Sequence, residues 1–404
     1  MTAFTRNRKF FVAAFLLAMT LCNLIPLFRV MPLLRNGYQD FTIYYTGARL
    51  LRNGQASALY NLAAQYRMQL TFTHVPIRQG PLPFNHPPFE ALLFVPFTLL
   101  NYWPAYLLWT ALNLIMLAMS VILLKRHFSQ LLAVSPVVLG LGTTAFFPVA
   151  IGILQGQDVI LLLLLFVLAV ISLDRGNDAM AGALLAAGLF RPQFVVPFVV
   201  LLALRRWRIL IGFAPIALVL AGFSVVIMGW RGPLDYVRFV LHLEGSGARG
   251  FGLEAVPNLR GLIANLPGVN PSSPWISLLI FASSLIVLFV TLRRICNGRD
   301  SIFFASNLAT VTAILVSFHA LVYDFTLLLP LLLLLFSRIA GAEWKNVDGE
   351  KIDVWTTLLV VFLFLSPLYI LLLLVVGHFF LYSLILLGLY LRMLLTPTPA
   401  EAPA

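Results

Sequence analysis

Asp40 is the carboxylate best placed to do chemistry. It is the only acid between the N-terminus and Glu90, and it follows directly on the first long apolar stretch, in Gly37-Tyr38-Gln39-Asp40-Phe41-Thr42-Ile43-Tyr44-Tyr45-Thr46-Gly47-Ala48. A carboxylate there can take the proton of a hydroxyl as its oxygen attacks a carbon centre. Aspartate also caps helices. Phe41, Tyr44, Tyr45, Ala48 and Leu51 recur at helical spacing and predict a helix starting just after it. The two roles are compatible.

Other polar residues interrupt apolar chain where an ionisable group is costly and therefore a functional candidate. Arg191 stands between the apolar halves 179–190 and 192–204, beside Pro192 and Gln193. Its guanidinium can grip a phosphate with two parallel hydrogen bonds, or pair with Asp324 of Tyr323-Asp324. His319 ends the apolar stretch 301–318 and can donate to a phosphate or a leaving oxygen; a histidine hydrogen-bonded inside a helix bundle looks the same in sequence. Gln157 and Asp158 form a polar turn between two apolar runs, a setting such residues also occupy for conformational reasons. Tyr38, Tyr44, Tyr45 and Tyr60 can stack on sugar faces or belong to an interfacial aromatic belt. No second acid stands at Asp-x-Asp spacing, and no His/Cys/Asp cluster has metal-ligand spacing, so no metal or other cofactor is expected.

The elements that position these residues belong to an integral membrane protein. Of 404 residues, 61% are apolar and only 10% charged, with mean hydropathy +0.95. Soluble domains carry about 25% charged residues, and this chain could not cover a soluble surface. The net charge of +12 fits cations gathered on cytoplasmic loops near anionic headgroups. There is no basic helix or Arg/aromatic motif, so nucleic acid is not an expected partner. Cys22 falls inside the first apolar span and Cys296 in a basic loop, so no disulfide is expected. Leu21 before Cys22 is not small, and residues 10–30 read as a retained helix.

Short basic loops fix the orientation. Arg6, Arg8 and Lys9 place the N-terminus in the cytoplasm; Lys125-Arg126, Arg175, Arg205-Arg206-Trp207-Arg208 and Arg293-Arg294 mark later cytoplasmic turns. The spans predicted are 10–30, 102–124, 131–150, 157–173, the halves 179–190 and 192–204, 208–229, 275–293, 301–318, 322–337, 354–374 and 377–395. Residues 88–100 are apolar but short and broken by Pro87, Pro88 and Pro96, and read as a re-entrant or surface helix. The expectation is an all-α integral membrane fold of about twelve transmembrane helices, with both termini cytoplasmic, in one domain over 1–395. Two long external loops, 35–100 and 230–274, carry surface helices. Residues 338–353 form a cytoplasmic loop and 396–404 a disordered tail. Polar groups cluster at the external face, where a lipid-linked substrate can enter sideways.

Seven segments, in order, resemble the motifs of glycosyltransferase family 87: Asp40-Phe41-x-x-Tyr44-Tyr45-x-Gly47-Ala48; Leu59-Tyr60; Asn85-His86-Pro87-Pro88-Phe89; Gly156-Gln157-Asp158; Gly188-Leu189-Phe190-Arg191-Pro192-Gln193; Asn258-Leu259-Arg260-Gly261-Leu262; and Ser317-Phe318-His319-Ala320-Leu321-Val322-Tyr323-Asp324. The resemblance covers about residues 10–340. Asp158 stands where that family has Asn, Arg191 where it has Lys, Phe318 where it has Pro, and His86 where it often has Tyr. The resemblance implies a GT-C-like helix arrangement in the plasma (inner) membrane. It implies transfer of a hexose, mannose in the family, from a polyprenyl-phosphate sugar donor to a lipid or glycan acceptor on the external face. Asp40 would be the catalytic base of an inverting, metal-independent displacement. His319, Arg191, Arg260, Tyr44 and Tyr45 would bind the donor and its phosphate, with His86, Gln157, Asp158, Gln193, Asn258, Tyr323 and Asp324 as further site candidates. A membrane transporter or flippase, a diphosphate-dependent glycan ligase and a non-catalytic scaffold are the alternatives. Activity of an Asp40→Asn variant would favour the transporter, a ligase typically lacks the first-loop acid, and a scaffold predicts that Asp40 and His319 can be replaced without consequence.

Overall fold

The computed structural model describes residues 3–73, 81–132, 134–246, 252–298, 300–340, 354–372 and 376–396. Residues 341–353 of the expected cytoplasmic loop and 397–404 of the expected tail lie outside them. The described residues form helices and no strands. A single helix α1 (Ala3–Arg35) opens the chain, apolar over Phe10–Ile25. The first loop folds as α2 (Phe41–Arg52), α3 (Leu62–Gln69) and α4 (Pro88–Phe94), with a 3-10 turn over Val95–Leu99. Pro88 suits the first turn of α4 because its missing N–H would have no partner there. At seven residues α4 is far too short to span.

The apolar stripe of α2 does not lie on lipid, as the sequence suggested. Phe41, Tyr44, Tyr45 and Ala48 are buried against α4, the 3-10 turn and α5 (Tyr102–His127). Tyr44 stacks on Phe94 at 4.7 Å between ring centres, and Phe41 meets Phe94 edge-on at 6.2 Å.

Next come α6 (Ser129–Leu132), α7 (Pro136–Ala145) and α8 (Phe147–Gln155). The crossing expected over 131–150 is not one straight helix, because α7 and α8 meet at a 66° bend around Phe146. Pro148 lies in the first turn of α8 and supplies no N–H to continue α7. Then follow α9 (Val159–Asp174), α10 (Asp178–Ala187), α11 (Pro192–Ala203) and α12 (Ile209–Met228). The second loop contains α13 (Gly232–Ser246) and α14 (Leu259–Ala264). The chain continues with α15 (Pro274–Cys296), α16 (Ile302–Val316), a 3-10 segment over Val322–Leu328, α17 (Leu329–Ala340), α18 (Val354–Phe364), α19 (Ser366–Leu371) and α20 (Tyr382–Leu395).

Among the described residues three helices, α5, α12 and α15, are long and apolar enough to cross a membrane, or four spans if bent α7–α8 counts as one. The other expected crossings are shorter apolar helices, several interrupted by proline or a polar turn. The count of twelve therefore does not follow from helix length. α9 and α16 are central and buried along most of their length, whereas α12 and α15 turn Leu218, Val226, Trp275 and Ile286 outward. Such an outer surface is stable only in lipid.

The hairpin that carries Arg191 is set by close packing of α10 on α12. A methyl group at Gly182 would overlap the Ile209 carbonyl, and one at Gly212 would overlap the Ala179 carbonyl. Small residues of this kind let helix backbones touch in a membrane. Gly182→Val should force the helices apart, cost about 3 kcal/mol and lower the thermal midpoint in detergent; an unchanged midpoint would refute this packing role.

Candidate active site

The site is built where several helices begin. Asp40 occupies the position before α2, Asp158 that before α9 and Arg191 that before α11, and Asp324 lies in the first turn of the 3-10 segment. Neither Asp40 nor Asp158 caps its helix with its side chain. Both side chains turn inward to partners from other helices.

Gln157 joins the two ends of the site. Its Nε2 donates to Asp40 Oδ2 at 2.5 Å, and its Oε1 accepts from Arg191. The Asp40 backbone N–H donates to Gln155 Oε1 at 3.1 Å. Arg191 Nε donates to Asp158 Oδ1 at 2.8 Å, and its Nη2 lies 2.5 Å from the same oxygen. Arg191 Nη1 reaches Asp324 Oδ1 at 3.4 Å. Nη2 also donates to the Tyr44 hydroxyl at 3.2 Å. That hydroxyl lies 2.8 Å from Gln157 Oε1 and 3.2 Å from Asp158 Oδ1 and donates to one of them. The guanidinium sits 5.6 Å from the centre of the Tyr323 ring, a cation–π contact. Asp324 Oδ2 accepts the Leu321 N–H at 2.7 Å, which ties the turn after His319 to the same cluster.

The loop carrying Gln157 is clamped by α5. Trp109 Nε1 donates to the Gly156 carbonyl at 2.8 Å, Asn113 Nδ2 to the Gln157 carbonyl at 3.2 Å, and the Tyr106 hydroxyl to the Leu154 carbonyl at 2.8 Å. Gly156 adopts φ +64°, and a methyl there would stand 2.8 Å from Phe41 Cβ. Glycine meets both demands at once.

An open cavity lies over this network. Asp40, His86, Gln157, Arg191, Gln193, His319 and Tyr323 line it, so seven of the sequence candidates share one space. Arg191 is only 3% exposed, so it faces the cavity from behind its own protein partners. Tyr44, Asp158 and Asp324 form the buried layer beneath. Three candidates stand elsewhere. Tyr45 points away and donates to the Leu100 carbonyl at 2.8 Å. Asn258 Nδ2 donates to the Ser317 carbonyl at 2.5 Å, and Arg260 Nη1 to the Phe318 carbonyl at 2.6 Å. These two anchor the backbone that presents His319.

The site candidates named from sequence leave out Asn85 and Phe318, which stand in the family-like segments, and Tyr236, all in the cavity wall, and they leave out Glu90. Glu90 is buried on α4 one helical turn after His86, with His86 Nδ1 2.8 Å from its Oε2. The four-residue spacing of His86 and Glu90 was the available signal. Nothing marked Tyr236, which reaches the cavity from α13. Burial, and then the neighbouring Asp158, push the Glu90 carboxyl well above the usual carboxylate range. Burial first and Asp158 next likewise raise the Tyr44 hydroxyl, which stays un-ionised. Donor atoms of His86, Glu90 and Asp158 gather within 4.8 Å of one another, a grouping the sequence spacing did not reveal. Asp158 is already committed to the Arg191 guanidinium, and His86 and Glu90 lie beside that buried pair.

Glycosyltransferase family 87 matches residues 84–318. That span includes His86, Gln157, Asp158, Arg191, Gln193, Asn258 and Arg260; Asp40 and His319 join the site through the contacts above. No curated protein and no solved structure matches the chain.

Removing one partner of a buried ion pair strands the other. Arg191→Met should therefore destabilise the protein by about 3–5 kcal/mol, read as a lower thermal midpoint, and adding Asp158→Asn should recover part of the loss. No recovery in the double variant would show that the pair is not the dominant link.

Proposed function

The chain belongs to glycosyltransferase family 87, and from that premise we propose that it moves a hexose, mannose by resemblance, from a polyprenyl-phosphate donor to a hydroxyl of a lipid or glycan acceptor. The observation that carries the reading is the bridge through Gln157, which holds the Asp40 carboxylate and the Arg191 guanidinium on one cavity wall. A base and a guanidinium are thereby fixed side by side at the space where a donor would react.

In this reading Asp40 takes the proton of the acceptor hydroxyl while its oxygen forms a bond to the anomeric carbon. The bond from that carbon to the donor phosphate oxygen breaks, and its electron pair leaves with the polyprenyl phosphate. One displacement inverts the anomeric configuration. Gln157, with Nε2 on Asp40, orients the carboxylate. The departing phosphate meets His319 on the cavity wall and the charge of Arg191 just behind it. The helix N-termini beneath the cavity add favourable dipoles for an anion. A donor with a single phosphate can be held by protein groups alone, so we take the reaction as metal-independent.

The same helices support the external placement of the site. α9 and α11 start at the cavity and end near Arg175 and at Arg205-Arg206-Trp207-Arg208, and α5, which clamps the site near its start, ends at Lys125-Arg126-His127. A helix of 16 residues such as α9 is about 24 Å long. The basic ends therefore lie roughly a hydrocarbon thickness from Asp40. With cations on the cytoplasmic side, the cavity opens outside the plasma (inner) membrane and both termini lie inside.

Purified protein should transfer sugar from a polyprenyl-phosphate hexose, and Asp40→Asn, with unchanged folding, should lower kcat by about 100-fold or more. Equal turnover by the variant would remove Asp40 as the base.

A further inference from the structure

Glu90 has no part in the reaction as described so far, yet it is buried to 1% exposure beside the most highly charged part of the protein. Neither of its oxygens receives an aligned hydrogen bond among the described residues, and Asp158 Oδ2 is equally unsatisfied. A Glu90 oxygen and an Asp158 oxygen nevertheless lie within 4.8 Å of each other, grouped with a His86 ring nitrogen. Two carboxyl groups this close are acceptors facing acceptors unless one carries a proton. Charge counting agrees. Glu90, Asp158 and Asp324 are all buried, and they face one guanidinium, Arg191, and one imidazole, His86, so three carboxyl groups meet at most two positive charges. An uncompensated buried carboxylate is neutralised by taking up a proton.

We propose that Glu90 is a positioning residue that carries a proton and donates it in a hydrogen bond to Asp158, holding Asp158 on Arg191 and His86 in the cavity wall. The inference rests on the proposed transferase reading for its catalytic consequence, but its structural part does not. Asp158 accepts Arg191 on Oδ1, and a donor on Oδ2 would stop the carboxylate from rotating away. His86, with Nδ1 at 2.8 Å from Oε2, gains a fixed ring plane between Tyr44 and Phe84.

The groups that face Glu90 are few. They are His86 on its own segment, Asp158 before α9, Arg191 before α11, Tyr44 on α2, and Tyr60, whose ring meets Tyr236 of α13. α12 packs on α4 but carries no ionisable side chain. A carboxyl raised on folding contributes stability fully below its unfolded value, and the contribution falls as pH rises toward the folded value. Burial and Asp158 raise Glu90, so its protonation should cost the fold up to tenfold in folding constant per pH unit above about pH 4.5.

The test uses the full chain in detergent: wild type, Glu90→Gln and Glu90→Ala. Thermal midpoints are measured from pH 5 to 9 with EDTA or Mn²⁺, and transfer activity is assayed alongside. Glutamine keeps a donor for Asp158 without a titrating proton. Glu90→Gln should lose the alkaline decline that wild type shows, and it should keep kcat/KM within about threefold. Glu90→Ala should lose at least tenfold. A Glu90→Gln midpoint with the same pH slope as wild type would overturn the proposal. So would a wild-type midpoint raised by Mn²⁺ and insensitive to Mn²⁺ in Glu90→Gln, because that pattern means the cluster holds a cation. The midpoint arms need no substrate, so failure of the transferase reading would leave this result readable on its own.

Discussion

The pairing of Arg191 with Asp158 is the interaction on which the site depends. Both groups are buried, and moving either charge out of water alone costs several kcal/mol. The pair is tolerable because its spare hydrogen-bonding capacity goes to Gln157, Tyr44 and Asp324. Those partners come from the first loop, the turn before α9 and the 3-10 segment after α16. Nothing local would bring these distant parts of the chain together. The guanidinium, with donors arrayed in one plane, does so at a single point.

The same arrangement explains why the charged residues begin helices. At a helix N-terminus the first backbone N–H groups have no partner within the helix, and the side chain just before it is free of the helical ladder. Asp40 and Asp158 are the residue types expected to cap there, yet neither does. The local capping interaction has been exchanged for a distant one, which is how local preference gives way at a functional site. α10 and α12 fix the Arg191 hairpin by backbone contact at Gly182 and Gly212. α5 fixes the Gln157 turn through Trp109 and Asn113.

Much of this could be seen in the chain beforehand. Polar residues stranded between apolar runs identified Asp40, Gln157, Asp158, Arg191, His319 and Asp324, because hydrocarbon makes each of them costly without a partner. The membrane character followed from composition, and the helix before Arg52 from the spacing of Phe41, Tyr44, Tyr45 and Ala48. Periodicity could not say what covers a stripe: the face of α2 meets α4 and α5, not lipid. For the same reason Tyr44 and Tyr45, adjacent and alike in sequence, part company, one toward Arg191 and the other toward Leu100. The number of crossings was the least legible feature. Hydropathy is blind to a break such as that at Phe146, where proline and a 66° bend split one apolar run.

Asn258 and Arg260 show how a residue can serve a site by holding its backbone. Arginine beside a cavity suggests an anion grip, and the sequence could offer no other role for it. In the fold both side chains donate to the carbonyls of Ser317 and Phe318, immediately before His319. Those carbonyls follow the end of α16, where a helix leaves its last acceptors unmet. Satisfying them from α14 holds the chain as it leaves the helix and so sets where the imidazole stands. Asp324 closes the far side of the same turn through the Leu321 N–H. His319 is thus held from both flanks by polar groups whose own partners are backbone, which ties the cavity wall to the Arg191 cluster through Asp324.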